Sequence, residues 1–450
     1  MTVQTSLMPT GWTAFSRKTL MALICLLLPW GTLRAQPTSQ QEGANQKLPP
    51  GVNISGPVDP LMKINDALIS REKLEEFKRL QTDYVQALRS GEITSQSRKL
   101  IREGIETRLY AMTIPEQYGN INGLRRTFMR DLVNYAGANQ INPRIKRKFR
   151  EMVLTETLDV LKDLLQNQLD VRVVAAAIAG ELNIVEEDRR TQTPAEPFEP
   201  SLMFLVAILE DAKQHQAVKI NAVQGIIRII SSEQVKLPRN DLLQTALVME
   251  QQLKDADTYY WYQIRLIQGL VATQIDVNRA GEPFIVTGLV QTMSDANRDP
   301  RVRSQAAYSL PRVPIPGNVN LGIIAWQVAR TCEQLALEYN EKPGQIYWIS
   351  TFLKIYGAFQ PLKKGQEQGL IYLTSQAGFA AHQPMVATAY DNTLPVVKAV
   401  FNNKGGVKLA PNTIVPLTDW LKENDPGQNP IYPGGPTAAQ LTANLEVGGP

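Results

Sequence analysis

Cysteine and histidine are both scarce in this 450-residue chain, which contains two of each. Cys25 lies in an N-terminal apolar run, so Cys332 is the single cysteine of the remaining sequence and cannot form an internal disulfide bond. His215 and His382 are far apart, and neither belongs to a His-Glu-x-x-His motif or another recognisable ligand spacing. We therefore predict no transition-metal site and no cofactor.

Motifs that carry catalysis are also missing from the sequence. It has no Gly-x-Ser-x-Gly elbow, no phosphate-binding Gly-Lys-Ser/Thr loop and no glycine-rich dinucleotide fingerprint after a strand. A Cys332–His382 nucleophile pair would lack a third group, and the acidic stretches 186–188 and 255–257 lack the spacing of a cation-binding loop. We predict that the chain is not an enzyme. A site built from carboxylates alone stays open, because the spatial pairing of acids is invisible in a sequence.

An apolar run at the N-terminus predicts the destination of the chain. Arg17 and Lys18 precede the run 19–33, and a small residue follows at Ala35. A basic flank, a short apolar core and a small residue at the cleavage point are typical of a secretory signal peptide. We predict cleavage after Ala35 and export to the periplasm or the outside, with an uncleaved anchor as the alternative. No later run is long enough to predict a membrane span in the mature chain.

The net charge does not favour nucleic acid as a partner. The chain has 47 basic and 43 acidic residues, and three basic ones, Arg17, Lys18 and Arg34, lie in a signal peptide that has no acid. Without the signal peptide the chain is close to neutral, so it lacks the basic excess that phosphate backbones attract.

Composition divides the chain into five segments. The signal peptide (1–35) is followed by a flexible linker (36–60) rich in Gln, Pro, Gly, Ser and Asn. From there on, apolar residues recur at helical spacing and hairpin-bounded alternating runs are missing, which predicts an all-α fold. We divide it into an N-terminal helical region (61–150), a repeat region (151–400) and a loose Pro/Gly-rich tail (401–450) with one short helix around PLTDWLKEN.

The segment DPRVRSQAAYSL (299–310) recurs in modified form along the repeat region. Asp299 is suited to cap a helix and Pro300 to occupy its first position. Related segments lie at 170–182 and 217–229 and, in weaker form, at 262–271, 346–357 and 385–397. Equivalent positions, at steps of 47, 44, 40, 44 and 39 residues, are Arg172, Lys219, Gln263, Arg303, Tyr347 and Val386. Each interval holds another apolar helix, and a period of this length with two helices per unit is typical of helical-repeat proteins.

The segments DPRVRSQAAYSL and VRVVAAAIAGEL carry the Asp-Pro, Val-Arg and Ala-Ala pattern of the second helix of a HEAT repeat. Over residues 151–400 the chain therefore resembles HEAT/armadillo-like proteins. The resemblance implies a right-handed α-solenoid of stacked helical hairpins with an extended concave surface, and a scaffolding or binding role. It implies no catalytic residues that can be transferred to this chain.

Charge is segregated between residues 98 and 200. Residues 98–150 carry twelve bases and four acids, whereas residues 151–200 carry eleven acids and four bases. The densest basic run, RIKRKFR, lies near a helix start, where cations oppose the helix dipole. One interpretation of this run is docking to an anionic partner, such as an acidic protein, lipid headgroups or an envelope polymer. The other is charge pairing with the acidic block 151–200 of the same chain. The candidate binding residues in this run are Arg144, Lys146, Arg147, Lys148 and Arg150.

Four consecutive aromatic residues are the second candidate for binding, namely Tyr259, Tyr260, Trp261 and Tyr262. At about 100° per residue they sweep roughly 300° around a helix, so they cannot all face one core. Packing between repeats accounts for most of them, and at least one is expected to reach a surface, where Tyr and Trp are favoured anchors.

These patterns together predict an exported, non-catalytic scaffold or binding protein that recognises a protein or an envelope polymer through its helical-repeat surface. The alternative is a lyase or hydrolase that acts on an envelope polymer with carboxylates, which two buried acids in a deep cleft would favour. A third interpretation is a structural subunit of an envelope assembly, which would expose a large apolar patch.

Overall fold

Helices form nearly all the regular structure of the chain. The computed structural model describes residues 66–443 apart from 364 and 404–405. The α-helices of that part are α1 (Arg71–Ser90), α2 (Ser95–Tyr110), α3 (Ile121–Tyr135), α4 (Pro143–Leu164), α5 (Leu169–Glu181), α6 (Ser201–Glu210), α7 (Gln216–Ile230), α8 (Arg239–Leu253), α9 (Tyr260–Thr273), α10 (Phe284–Ser294), α11 (Pro300–Ser309), α12 (Leu321–Glu341), α13 (Trp348–Phe359), α14 (Leu370–Thr374), α15 (Gln383–Asn402), α16 (Pro411–Glu423) and α17 (Ala438–Ala443). The prediction of an all-α fold is confirmed, whereas the predicted signal peptide (1–35) and linker (36–60) lie outside the described residues.

Shorter elements connect these helices. The 3-10 helices of the described part are Ala111–Thr113, Pro115–Asn120, Leu310–Arg312 and Ala377–His382. The strands β1 (Asn183–Val185) and β2 (Glu196–Pro197) form a small antiparallel pair in which Asn183 lies opposite Pro197. This pair closes the connection between α5 and α6.

Two helix starts follow directly from the local sequence. The Asp299 carboxylate accepts a hydrogen bond from the backbone N–H of Arg301 (2.8 Å), and Pro300 occupies the first position of α11. Asn142 caps α4 in the same way through the N–H of Arg144 (3.0 Å), with Pro143 at the first position. Both predicted caps are confirmed, because a side-chain acceptor and a proline suit a helix start whatever the distant surroundings.

Consecutive helices pack against each other in pairs, α4 with α5, α6 with α7, α8 with α9, α10 with α11 and α12 with α13. The second helices of these pairs also contact one another in chain order, from α5 through α7, α9, α11 and α13 to α15. The first helices do the same from α6 through α8 and α10 to α12. Each pair therefore buries its apolar faces mainly against the pair before it and the pair after it.

The N-terminal helices are continuous with this arrangement. Helix α2 contacts α4, and α3 contacts α5. The boundary that the sequence suggested between 150 and 151 lies inside α4, so one helix belongs to both predicted regions.

A series of buried polar side chains runs through the second helices at the equivalent positions of the repeat. We name Arg172, Lys219, Gln263 and Arg303 the polar ladder; they are 0%, 7%, 2% and 0% exposed. Each ladder side chain reaches toward the following pair of helices. Lys219 Nζ donates to the carbonyl of Leu209 in α6 (2.8 Å) and to Gln252 Oε1 in α8 (3.0 Å). A buried cation with carbonyl and amide acceptors on both sides fixes how one pair sits on the next.

The other members of the polar ladder bridge in the same direction. Arg172 Nη1 donates to the carbonyl of Lys213, in the turn before α7. Gln263 Oε1 accepts from Arg298 Nη1 in the turn before α11 (2.7 Å). The Arg303 guanidinium donates to the Met293 carbonyl in α10 (3.3 Å) and pairs with Glu338 in α12. The final two equivalent positions do not continue the polar ladder. Tyr347 precedes α13 rather than lying in it, and Val386 is a fully buried apolar residue.

Helices α5 and α7 approach each other through two glycines. A Cβ atom built at Gly180 would lie 2.7 Å from the Cα of Gly225, a distance that real Cβ contacts do not reach. Only glycine at both positions allows this separation of the two backbones.

The C-terminal segment does not form the loose tail that its Pro/Gly content predicted. Leu417 in α16 and Ile431 are fully buried. The Trp326 indole N–H in α12 donates to the carbonyl of Leu421 (3.1 Å), and the N–H of Asn320 donates to the carbonyl of Ile431 (2.8 Å). The prediction was wrong for residues 406–443, because apolar residues between the Pro/Gly turns cover the outer face of α12. The predicted short helix is confirmed as α16.

Within the described residues, none of the helices combines the length and the hydropathy that a membrane crossing requires.

Candidate functional site

The four consecutive aromatic residues lie at the start of α9 and point to different surroundings. Tyr262 is 1% exposed, and its hydroxyl donates to Gln252 Oε1 (3.1 Å). Tyr259 and Trp261 are 56% and 52% exposed, and Tyr260 is half-buried between them. The side-chain geometry of a helix therefore divides the group into one core residue and a surface cluster.

The guanidinium of Arg301 lies against this cluster. Its central carbon is 3.4 Å from the centre of the Tyr260 ring and 5.0 Å from the centre of the Tyr347 ring. Asp299 holds the guanidinium in place by accepting from Nε (2.8 Å) and Nη2 (2.6 Å). We name Tyr259, Tyr260, Trp261, Arg301 and Tyr347 the aromatic row.

The packing of the second helices brings the aromatic row together. Tyr260 and Arg301 lie in the first turns of α9 and α11, and Tyr347 directly precedes α13. These three helices contact one another in order, so their N-terminal ends lie side by side. Sequence reasoning missed Arg301 and Tyr347. An alignment of the helix starts of successive repeats is the signal that could have placed them beside Tyr260.

Lys354 of α13 adds a second cation near the aromatic row. The pKa of Lys354 is lowered to about 8, mainly by burial and also by the charge of Arg301, while Asp299 opposes the shift. The hydrogen bonds to Asp299 raise the pKa of Arg301. Arg301 is paired with Asp299, and Lys354 lies near enough for both charges to act on its pKa.

The aromatic row has the chemistry of a recognition surface. The exposed rings of Tyr259 and Trp261 offer flat apolar faces with little conformational entropy to lose. Arg301 donates to Asp299 through Nε and Nη2, which leaves its Nη1 edge for a further acceptor. A ligand with a planar or apolar group beside a negative charge would use both features.

The basic run 144–150 is divided between internal and exposed roles. Arg150 is 4% exposed and donates to the carbonyls of Leu132 (3.1 Å), Asn183 (2.8 Å) and Ile184 (2.9 Å). It also pairs with Glu186. Arg150 is therefore not available to a partner, and its candidacy as a binding residue is corrected. Its guanidinium binds β1 and the end of α3 to α4.

Arg147 is engaged as well, through two hydrogen bonds to Glu196 (2.9 and 2.7 Å) and an ion pair with Glu151 (3.3 Å). Arg144 and Lys148 are exposed, and Lys146 is half-buried. In the part of the chain that the structure describes, none of these three forms an ion pair.

The charge segregation is resolved largely within the molecule. Five basic residues of 98–150 pair with acids of 151–200, in the pairs Arg98–Glu156, Arg102–Glu156, Arg125–Glu181, Arg147–Glu196 and Arg150–Glu186. These ion pairs support the interpretation that the basic run and the acidic block match each other inside the molecule, for those five residues. They do not account for the exposed basic residues at the start of α4.

The remaining candidates for chemistry have structural surroundings. Cys332 is fully buried in α12, and burial raises the pKa of its thiol. His215 Nδ1 accepts the N–H of Ala217 (3.2 Å) and so caps α7. Burial lowers the pKa of His382, which stands at the start of α15. Among the described residues, no group of three or more His, Cys, Asp or Glu side chains is placed to hold a metal ion.

No protein-family model, curated protein or solved structure matches this chain.

Two grooves lie along the first helices, and none of the residues of the aromatic row lines them. A groove of about 440 Å³ between α8 and the loop before α10 contains Asp241 and Arg279. The other, of about 360 Å³, lies between α8 and α10 and is bordered by Leu441 of α17. The acids of this groove are ion-paired: Glu250 pairs with Lys254 (2.9 Å) and Asp295 pairs with Arg298 (3.1 Å).

Proposed function

We propose that this chain is an exported, HEAT-like helical-repeat protein that binds a protein or an envelope polymer through the aromatic row, without catalysis. The observation that carries the proposal is the Arg301 guanidinium between the rings of Tyr260 and Tyr347, beside the exposed rings of Tyr259 and Trp261. Aromatic residues and arginine dominate the energetics of protein interfaces.

The serial packing of helix pairs supports the HEAT-like part of the proposal. Helix pairs that touch mainly the preceding and following pair are the unit of a solenoid, and the polar ladder repeats at the positions that the sequence period defines. In such an arrangement the ends of successive second helices form a continuous strip. The aromatic row occupies that strip on three adjacent units.

The surroundings of the acids support a binding role over a carboxylate enzyme. A hydrolase or lyase of that kind needs a carboxyl group whose pKa is raised, beside a second acid in a cleft. Among the described acids, the pKa of Asp131 is raised by burial, but its neighbour is Arg108 at 3.1 Å rather than another acid. The charged acids of the groove at Leu441 are paired with cations.

Export is proposed from residues 1–35, whose basic flank, apolar core and small residue at Ala35 have the composition of a signal peptide. Detection of a mature N-terminus at Gln36 by terminal sequencing of the native protein would support it. An intact N-terminus in the cytosolic fraction would contradict it.

The binding proposal is tested with Trp261→Ala in the chain 36–450. Leu337→Ala is the matched control, because Leu337 in α12 is 55% exposed and Trp261 is 52% exposed. Each protein is crosslinked to the native envelope and secreted fractions, and the captured species is purified for affinity measurement. Loss of an aromatic anchor should cost about 2 kcal/mol, which is roughly a thirtyfold weaker Kd.

The control is expected to bind like the parent chain. If Trp261→Ala binds its partner as tightly as Leu337→Ala does, the aromatic row is not the binding surface. If the captured polymer is cleaved during the assay, the non-catalytic part of the proposal is wrong.

A further inference from the structure

The exposed start of α4 combines isoleucine and basic side chains. Ile141 is 94% exposed and Ile145 is 44% exposed, and the exposed residues Arg144 and Lys148 lie between and after them. We name Ile141, Arg144, Ile145 and Lys148 the α4 patch. It involves none of the residues of the aromatic row and stands independently of the proposed function.

Local helix chemistry does not explain the two isoleucines. Ile141 precedes the capping residue Asn142, a position from which an apolar side chain often packs against the fourth helical residue. In this chain the fourth residue is Lys146, so the usual apolar partner of Ile141 is replaced by a cation. The side chain of Ile141 is left almost completely in water.

The basic side chains of the α4 patch are equally unexplained by stability. Arg144 lies in the first turn of α4, where the positive end of the helix dipole disfavours a cation. Arg147, which lies between the two basic residues of the patch in the sequence, pairs with both Glu151 and Glu196. In the described part of the chain, Arg144 and Lys148 form no ion pair with a carboxylate.

The two kinds of side chain share one face of the helix. At about 100° per residue, Arg144, Lys148 and Ile145 fall within an arc of about 100°. The buried residues Phe149 and Arg150 lie outside that arc, on the side that faces the protein. The patch is thus a cationic and apolar surface that projects from the molecule.

We infer that the α4 patch docks the protein on a bilayer surface that contains anionic lipid, with the isoleucines in the interface and the basic groups on the lipid phosphates. A soluble polyanion would engage the two charges but would leave the isoleucines in water. A bilayer surface satisfies both, because apolar side chains enter the headgroup and acyl boundary while long basic side chains reach the headgroups. Each basic residue near such a surface strengthens partitioning by about fivefold.

The test is vesicle flotation of the chain 36–450, with phosphatidylcholine vesicles and with vesicles that also contain phosphatidylglycerol. The apolar run 19–33 is omitted because it would bind lipid by itself, and the described helices all lie within residues 36–450. The protein should float with the anionic vesicles and be released by added salt. The double variant R144Q/K148Q should lose roughly 25-fold in partitioning.

Matched variants separate the α4 patch from general effects. Ile141→Ser should weaken flotation, whereas Ile346→Ser, at a residue that is 96% exposed elsewhere, should not. The charge control is K236Q/R279Q, which removes two exposed basic residues from other surfaces and should float like the parent. Circular dichroism of each variant checks that the helices are retained.

Three outcomes would overturn the inference. One is equal flotation with neutral and anionic vesicles, and another is unchanged flotation of R144Q/K148Q. The third is binding to a soluble anionic polysaccharide that is lost in R144Q/K148Q and retained in Ile141→Ser, which would make the patch a polyanion site rather than a lipid site.

Discussion

The contact between Gly180 and Gly225 makes the packing of α5 on α7 directly testable through Gly180→Ala. The new Cβ atom would lie 2.7 Å from the Cα of Gly225, where the obstacle is backbone that cannot rotate away. Carbon atoms pack best at about 3.5–4.0 Å, so the helices would have to separate by about 1 Å.

The magnitude follows from two opposing effects. Overpacking a close-packed core costs about 1–3 kcal/mol. Alanine regains about 1 kcal/mol of helix propensity over glycine. A clash with backbone lies toward the upper end of the overpacking range, at about 2–3 kcal/mol, so we expect Gly180→Ala to lower the free energy of unfolding by about 1–2 kcal/mol.

Thermal and denaturant unfolding, followed by circular dichroism, measure the change. The control is Gly378→Ala, since a Cβ atom at Gly378 would meet no atom within 4 Å. Gly378→Ala should leave the free energy of unfolding within about 0.5 kcal/mol of the parent. A second variant, Gly225→Ala, should be destabilised as well, and the double variant should cost less than the sum because both changes act on one contact.

A result in which Gly180→Ala is as stable as the parent, or more stable, would refute the reasoning. It would mean that helix propensity outweighs the contact, and that α5 and α7 are not held at this separation.

Two further changes probe the buried charges. Arg303→Ala should lower the free energy of unfolding by about 1.5–3 kcal/mol, because it removes a fully buried guanidinium and leaves the Met293 carbonyl without this donor. Arg301→Ala on the same helix should cost about 1 kcal/mol or less, because its pair with Asp299 is partly exposed. Equal losses in chemical denaturation would contradict this difference. Lys354→Met should stabilise the protein at pH 7, because the folded pKa of Lys354 is lowered from 10.5 to about 8 and the folded state disfavours its proton. Between pH 8 and 10.5 the folded parent has lost the Lys354 proton while the unfolded chain still holds it, so the stability of the parent rises with pH. The difference in unfolding free energy between the parent and Lys354→Met therefore shrinks over this range. A difference that is independent of pH would contradict the assignment.

Local chemistry was predictable from the sequence. The caps at Asp299 and Asn142 depend on residues within three positions of each helix start, and both are present. The positions of the polar ladder also followed from the sequence, because a repeat places equivalent residues in equivalent surroundings. What the sequence did not reveal is that these polar side chains are buried and bridge successive helix pairs.

Features that depend on distant parts of the chain were missed or misread. Arg150 belonged to a run of exposed-looking cations, and its burial depends on carbonyls from α3 and β1. The partners Tyr260, Arg301 and Tyr347 are separated by more than forty residues at each step, so only the packed helices reveal their contact. The C-terminal segment was judged by its Pro and Gly content, whereas its placement depends on packing and hydrogen bonds with α12 and the residue that caps it.

The polar ladder also bears on how the length of such a chain can change over time. Lys219 and Arg303 each bond to groups in their own pair of helices and in the pair that follows, so these bonds lie within two neighbouring pairs. Duplicating or removing a complete pair rejoins equivalent neighbours and restores these bonds. Removing half a pair would leave a buried cation without its acceptors, so insertions and deletions are expected to accumulate in whole repeats.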